Sequence, residues 1–398
     1  MPNVWNESES MKIALMGSFP IYPFRDKIKF WNNRPDLTTT WNYNLAYALA
    51  RIPELEVHFV TMAPLWKTKV LKDQNLTIHF VGHLPKLDKW DNLTNMRYSC
   101  SILRRYLQKL KPDLVHGSGT DHEYGYVAAT CKYPNVITVH GVMKENAVKA
   151  PPPPKSVVWK YIKHEPLVIR AAKHLISINP YVEQQFPEFK GTVYRIENPI
   201  SPAFFEQQGN KKSDLVFVGK MNERKRVLNL LMAVDQIRAK HASLSVKLIG
   251  GGDAAYIEKI HAFIKEHTLA DCVELVGPLQ QNEVAQCIAE AKCLVLPSIE
   301  ETAPMVIAES LAMGTPVVAT DVGGVKYMLE DGSSGFVVPP DDVGTLAERL
   351  SLLLDDDELR AQMSGAARLA AKAYHPDEVA RKTQACYLRI LSGEGEKE

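Results

Sequence analysis

Short runs of β-branched and aliphatic residues alternate with longer stretches of helical periodicity along the whole chain. The strand-like runs are KIALMG (12–17), VHFVT (57–61), TIHFV (77–81), DLVH (113–116), VITVH (136–140), LISI (175–178) and TVYRI (192–196). A polar break from Gln207 to Ser213 interrupts the pattern. It then restarts with DLVFVG (214–219), SVKLIG (245–250), CVELVG (272–277), CLVLP (293–297), PVVAT (316–320) and GFVV (335–338). Most of these runs are too apolar for strands with one face in water, which predicts parallel sheets covered on both faces. Helical patterns lie between them, such as NMRYSCSILRRYLQKL (95–110) and VLNLLMAVDQIRAK (227–240). Strand–helix alternation in two blocks predicts an α/β protein with two doubly wound, Rossmann-like domains, 1–200 and 201–375. A last helix, set off by His375-Pro376 within 376–398, is expected to pack back on the first domain before an acidic tail, GEGEKE. Ligands of such sheets bind beyond the carboxyl ends of the strands, so a cleft between the two domains is the expected site.

Length agrees with this division, since 398 residues exceed one ordinary core. The chain balances 47 basic against 46 acidic residues, a net charge of +1, which argues against nucleic acid as the main partner. Its six cysteines are scattered without a CxxC pair, as expected of reduced core thiols in a cytoplasmic protein rather than a disulfide frame or zinc site. No apolar run approaches a membrane span, and MPNVWNESES has no apolar signal core.

Chemistry concentrates after strands. The stretch PSIEETAPMVIAESLAMGTPVVATDVGG (297–324) follows CLVLP. Pro304 suits a first helical turn, whose free amides form an anion site. Glu301 precedes that turn, and Glu309 is the only charge in the helix PMVIAESLAM. A carboxylate among apolar residues needs partners. Either nearby amides satisfy it in the core, or a vicinal diol of a sugar or ribose does. In FVGKMNERKRV (217–227), Lys220, Arg224, Lys225 and Arg226 cluster where a helix begins, the end whose dipole favours anions. The cluster is a solvated basic turn unless an anion such as a diphosphate lies there. His140 ends the strand of NVITVHG. HGSGTDHEYG (116–125) carries two histidines and two acids at a spacing that fits no standard metal motif, and reads better as an acceptor-side loop. LIGGGDAA (248–255) fits the dinucleotide pattern G-x-G-x-x-A, with Glu274 further on. Its place at a second strand favours an ordinary strand-to-helix turn. Four prolines (151–154) then lead into a basic helix with Trp159, Tyr161 and Lys163; its core-like second half favours a packed helix over the alternative, peripheral contact with anionic lipid.

The E-x7-E spacing of Glu301 and Glu309, followed by AMGTPVVATDVGG, resembles the donor-binding signature of family 4 retaining glycosyltransferases with the GT-B fold. Gly219-Lys220-Met221 with Lys225-Arg226 is similar to the family's Gly-Arg-Leu…Lys-Gly pattern, with lysine in place of arginine at 220. This resemblance implies a nucleotide-sugar donor, most commonly a UDP-sugar, and a glycan, lipid or small-molecule acceptor. It implies retention without an obligatory metal or other cofactor. Glu301 is then the partner of the transferred sugar, Glu309 of the ribose, and Lys220 and Lys225 the diphosphate clamp. Gly17, Gly219, Gly277, Ala303, Pro304, Met305 and Val306 line the donor pocket, and His140 lies beside the transferred sugar. Where many members have a Gly-Phe-Gly-like triplet, this chain has Thr302-Ala303-Pro304; in the GSFPIYP loop (17–23), only Gly17 remains of the usual paired glycines. A sugar-nucleotide epimerase on the same scaffold and a nicotinamide-dependent oxidoreductase using the 250–255 turn are the alternatives.

Overall fold

The computed structural model describes residues 10–30, 39–83, 96–144, 158–207, 209 and 211–393. The chain forms two compact units, one of Met1–Pro199 with Pro376–Glu398 and one of Ile200–His375.

The first unit is built on an eight-stranded sheet. Its strands are β1 (Met11–Met16), β2 (Leu55–Ala63), β3 (Lys69–Asp73), β4 (Leu76–Gly82), β5 (Leu114–Ser118), β6 (Asn135–Val139), β7 (His174–Ser177) and β8 (Thr192–Arg195). They run in the order β3-β4-β2-β1-β5-β6-β7-β8, parallel except for the antiparallel β3/β4 pair. Helices α1 (Thr40–Leu49), α2 (Arg97–Leu110), α3 (Glu123–Ala129), α4 (Val158–Ala171) and α5 (Pro180–Gln184) connect them. The hydrophobic pattern had not marked β3. KVLKD places its lysines and Val70 on the surface, so this edge strand lacks the apolar run of a covered strand. The charges also discourage another strand from pairing with the open edge.

The second unit has six parallel strands: β9 (Ser213–Val218), β10 (Val246–Ile249), β11 (Val273–Gly277), β12 (Ala291–Leu296), β13 (Val317–Thr320) and β14 (Gly335–Val338). Their order, β11-β10-β9-β12-β13-β14, is that of a Rossmann-type sheet. Its helices are the short α6 (Ala203–Glu206), then α7 (Val227–Ile237), α8 (Ala254–Glu266), α9 (Gln281–Glu290), α10 (Met305–Ala312), α11 (Val343–Asp355) and α12 (Asp357–Ala371). The sheet interior is fully apolar, with Leu215, Val216, Phe217, Leu294, Val295, Val317 and Val318 at 0% exposure. This explains why the central strands were visible as hydrophobic runs, whereas Lys247 and Glu274 interrupt β10 and β11.

The last helix, α13 (Pro376–Ser392), belongs to the first unit, where Val379, Ala380, Cys386, Tyr387 and Ile390 join the core. Tyr387 is fully buried and its hydroxyl lies 2.7 Å from Nδ1 of His116 on β5. Among the described residues no helix is long and apolar enough to cross a membrane. The proline run and the side chains of Trp159 and Tyr161, considered above for lipid contact, lie outside the described residues.

Candidate functional site

In the second unit the strand order reverses between β9 and β12, the place where open α/β sheets leave a crevice for ligands. The two stretches richest in chemistry emerge there. After β9, Asn222 accepts a hydrogen bond from the Lys225 amide (3.1 Å) and shapes one tight turn, Glu223–Lys225. After β12, the Ile299 amide donates to the Arg224 carbonyl (2.9 Å), tying the two loops together. Lys225 Nζ thereby lies 2.5 Å from Glu301 Oε1, although 76 residues separate them. Both are buried, at 8% and 5% exposure. Arg224 Nη1 donates to the Glu300 carbonyl at 2.9 Å and sits 3.2 Å from Glu300 Oε2 and 3.5 Å from Glu301 Oε2. Two cations and two carboxylates thus share a site where each charge has an opposite within reach, the condition for burying any of them.

Lys220 stands apart from this cluster. Its ammonium pairs with Asp253 Oδ1 at 2.6 Å, and both side chains are more than half exposed. The structure therefore brings Lys225 and Glu301 together but leaves the other half of the expected clamp in a surface ion pair. Gly219, with φ of +154°, adjoins Lys225, and a Cβ there would lie 3.9 Å from its Nζ. Gly277 closes the same corner by accepting from the Gly250 amide at 2.9 Å.

The glycines of LIGGGDAA have a packing role. A Cβ on Gly250 would lie 2.2 Å from the Gly219 carbonyl oxygen, and one on Gly252 would lie 2.5 Å from that of Met221. Only bare backbone lets the turns after β9 and β10 approach so closely. Glu274 is exposed in β11 and lies opposite Lys247 in the strand pairing, away from a strand tip where it would meet a ribose. The dinucleotide pattern is thus accounted for by the contact between turns.

Helix α10 begins at Met305 with Pro304 as its cap residue and buries Ile307, Ala308, Ser310, Leu311 and Ala312. Met305, Val306 and Glu309 are only partly buried. At spacings of three and four they occupy one face, so Glu309 lies on the open side of an otherwise enclosed helix. Its carboxylate has no hydrogen bond or ion pair among the described residues, and desolvation pushes its pKa up to about 7.

In the first unit the reversal lies between β1 and β5. His140, just after β6, is held at both ring nitrogens: Nδ1 is 2.9 Å from Asn198 Oδ1 and Nε2 is 2.8 Å from Ser118 Oγ. Ser118 Oγ is also 2.6 Å from Asn42 Oδ1, and Asn42 Nδ2 donates to the Ser18 carbonyl at 2.8 Å. The Trp41 ring lies 5.2 Å from the imidazole, centroid to centroid. Desolvation lowers the His140 pKa to about 4, so the ring is neutral near pH 7. Gly17 permits this packing, since a Cβ there would be 2.8 Å from Ser118 Cβ. A pocket of about 310 Å³ opens beside the network, lined by Trp41, Asn42, Ser118, Asp121, His122 and His140 among others. The HGSGTDHEYG stretch thus supplies one pocket wall, and among the described residues no group of three or more His, Cys, Asp or Glu is arranged for a metal ion.

A family model described as "Glycosyl transferases group 1" matches residues 202–370, and one described as "Glycosyltransferase Family 4" matches residues 38–204. The chain belongs to the family 4 glycosyltransferases and has the GT-B fold. An uncharacterized glycosyltransferase of Methanocaldococcus jannaschii is 27% identical over 318 residues, covering 78% of this chain and 83% of that protein. Sucrose-phosphate synthase from Thermosynechococcus elongatus superimposes with a TM-score of 0.73 at 19% identity, covering 96% of this chain and 100% of that one. HepE from Anabaena, solved with UDP-glucose, gives 0.68 at 16% identity, over 95% and 99% of the two chains. In this glycosyltransferase Glu301 and the basic turn meet at the strand-order reversal of the second unit. Neither the epimerase nor the oxidoreductase alternative gains support from these matches. Sequence reading did not assign Glu300, Asn42, Asn198 or Trp41 to the site. Only Arg224, inside the visible basic cluster, had a local signal.

Proposed function

We propose that this glycosyltransferase moves a hexosyl group from a UDP-sugar to an acceptor hydroxyl with retention of anomeric configuration and without an obligatory metal. The observation that carries the donor assignment is Glu309, a carboxylate without a partner among the described residues, on the partly exposed face of an apolar helix at the β9/β12 reversal. A ribose diol donates two hydrogen bonds to such a group and relieves its desolvation. The UDP-glucose complex of HepE supports uridine as the base.

In this reading the diphosphate lies against Lys225, Arg224 and the amides of Ala303, Met305 and Val306, with Lys220 leaving Asp253 to join them. An arriving diphosphate draws Lys225 away from Glu301, and the freed carboxylate accepts hydrogen bonds from the transferred sugar. The bond between the anomeric carbon and the β-phosphate oxygen breaks as the acceptor oxygen bonds to the same carbon from the same face. The acceptor proton passes to the departing phosphate oxygen, so no side chain need act as base. Once placed by donor binding, these cations stabilise the growing phosphate charge without further reorganisation. The resemblance assigns neutral His140 to a place beside the transferred sugar.

A thermal-shift comparison of UDP, GDP, ADP and dTDP tests the donor. UDP should raise Tm most, and Glu309→Gln should abolish that response while the protein remains folded. Absence of a response to every diphosphate would reject the reading. Turnover that persists in EDTA, and an α-configured product from an α-configured donor, are expected for metal independence and retention.

A further inference from the structure

We infer that the pocket beside His140 is built for an uncharged polyol or sugar acceptor, and that Asp121 sets this preference. The inference rests on the glycosyl-transfer reading and specifies the acceptor class that reading left open. At about 310 Å³, the pocket falls at the lower end of the roughly 300–1,000 Å³ typical of small-molecule sites.

Its wall has the chemistry of sugar recognition. The Trp41 indole offers a flat apolar face, while Asn42, Ser118 and His140 are already fixed by the network above. Thr39 and Trp41 belong to the same wall, and their buried Oγ1 and Nε1 have no hydrogen-bond partner among the described residues. Asp121 provides the complementary acceptor. Its side chain is 29% exposed and pairs with His122 Nε2 at 3.4 Å, a long contact that leaves carboxylate lone pairs available.

The carboxylate is placed by the backbone. Gly119 has φ of +90°, and a Cβ there would lie 2.8 Å from Asp121 Oδ1, so the acid occupies the space a side chain would fill. Glu165 receives the Met143 amide at 2.7 Å and holds the loop that carries Gly141 and Met143 into the pocket lining. A carboxylate fixed inside such a pocket accepts hydrogen bonds from hydroxyl pairs and repels a phosphate.

The test uses the full chain in the presence of saturating UDP. Binding of glucose, mannose and myo-inositol is measured by calorimetry beside glucose 6-phosphate and mannose 6-phosphate, for wild type, Asp121→Asn and Asp121→Ala. At least one neutral probe should bind about tenfold tighter than any phosphorylated one, and both variants should lose most of that ratio. A phosphorylated probe that binds more tightly, a ratio unchanged in the variants, or no binding of any neutral probe overturns the inference. The UDP response separates this failure from a wrong donor assignment. If UDP raises Tm equally in all three proteins, the donor reading stands whatever the sugars do. If UDP has no effect on wild type, the donor reading itself falls.

Discussion

At the scale of single residues, Glu309 combines a liability and a use. A carboxyl whose folded pKa is raised from 4.5 to about 7 binds its proton more tightly in the folded state than in the unfolded one. Its contribution therefore favours folding at low pH and declines as pH rises from about 4.5 to 7. Above pH 7 the folded state carries the whole penalty. Glu309→Gln should accordingly raise Tm by a few degrees at pH 8, on the order of 2 kcal/mol, with the gain shrinking toward pH 5. Scanning Tm against pH for both proteins checks this, and a gain independent of pH would contradict it. UDP binding should move the opposite way, weakening in wild type as protonation of Glu309 sets in when pH falls through 7. The position of Glu309 was legible because one charge in PMVIAESLAM stands out. Its place on the partly exposed face, without a partner among the described residues, was not, since helical periodicity does not say which face a neighbouring element covers. Lys220 shows the converse: a cation seen in sequence as half a clamp rests on Asp253.

At the scale of elements, the turn after β9 and the loop after β12 are joined by the Lys225–Glu301 pair. Removing one partner leaves a buried charge poorly compensated, which typically costs about 3–5 kcal/mol. Lys225→Met should fall near the lower end, because Arg224 still lies 3.5 Å from Glu301. The double variant Lys225→Met/Glu301→Leu should be less destabilised than the sum of its single variants. Denaturant melts of the four proteins measure that coupling, and strict additivity would show that the pair contributes nothing as a pair. Gly250→Ala tests the neighbouring contact. Its methyl would meet the Gly219 carbonyl, forcing apart the turns after β9 and β10 and lowering both stability and UDP affinity. Most strands could be read from their apolar runs because both faces are covered. β3 could not, because an edge strand with one face in water reads like a charged loop.

At the scale of the whole molecule, α13 returns from the end of the chain to complete the first unit. Ending the chain at His375 would remove Tyr387, Cys386, Ile390, Val379 and Ala380 from that core and strip His116 Nδ1 of the Tyr387 hydroxyl. Hydrogen exchange should then show lost protection in β1 and β5 while β9, β12 and β13 stay protected; equal loss in both units would contradict this. Tyr387→Phe isolates the hydrogen bond, at about 1–2 kcal/mol of stability. The amino-acid sequence by itself determined the α/β class, the two-block organisation and the family, because covered parallel strands and the donor signature are written in contiguous residues. The tertiary structure decided which of the marked residues meet. Strand order at a reversal joins segments 76 residues apart, as with Lys225 and Glu301, and seats His140 among Asn42, Ser118 and Asn198. Polar residues scattered over several loops have no local pattern, and only the closing of each sheet makes them neighbours.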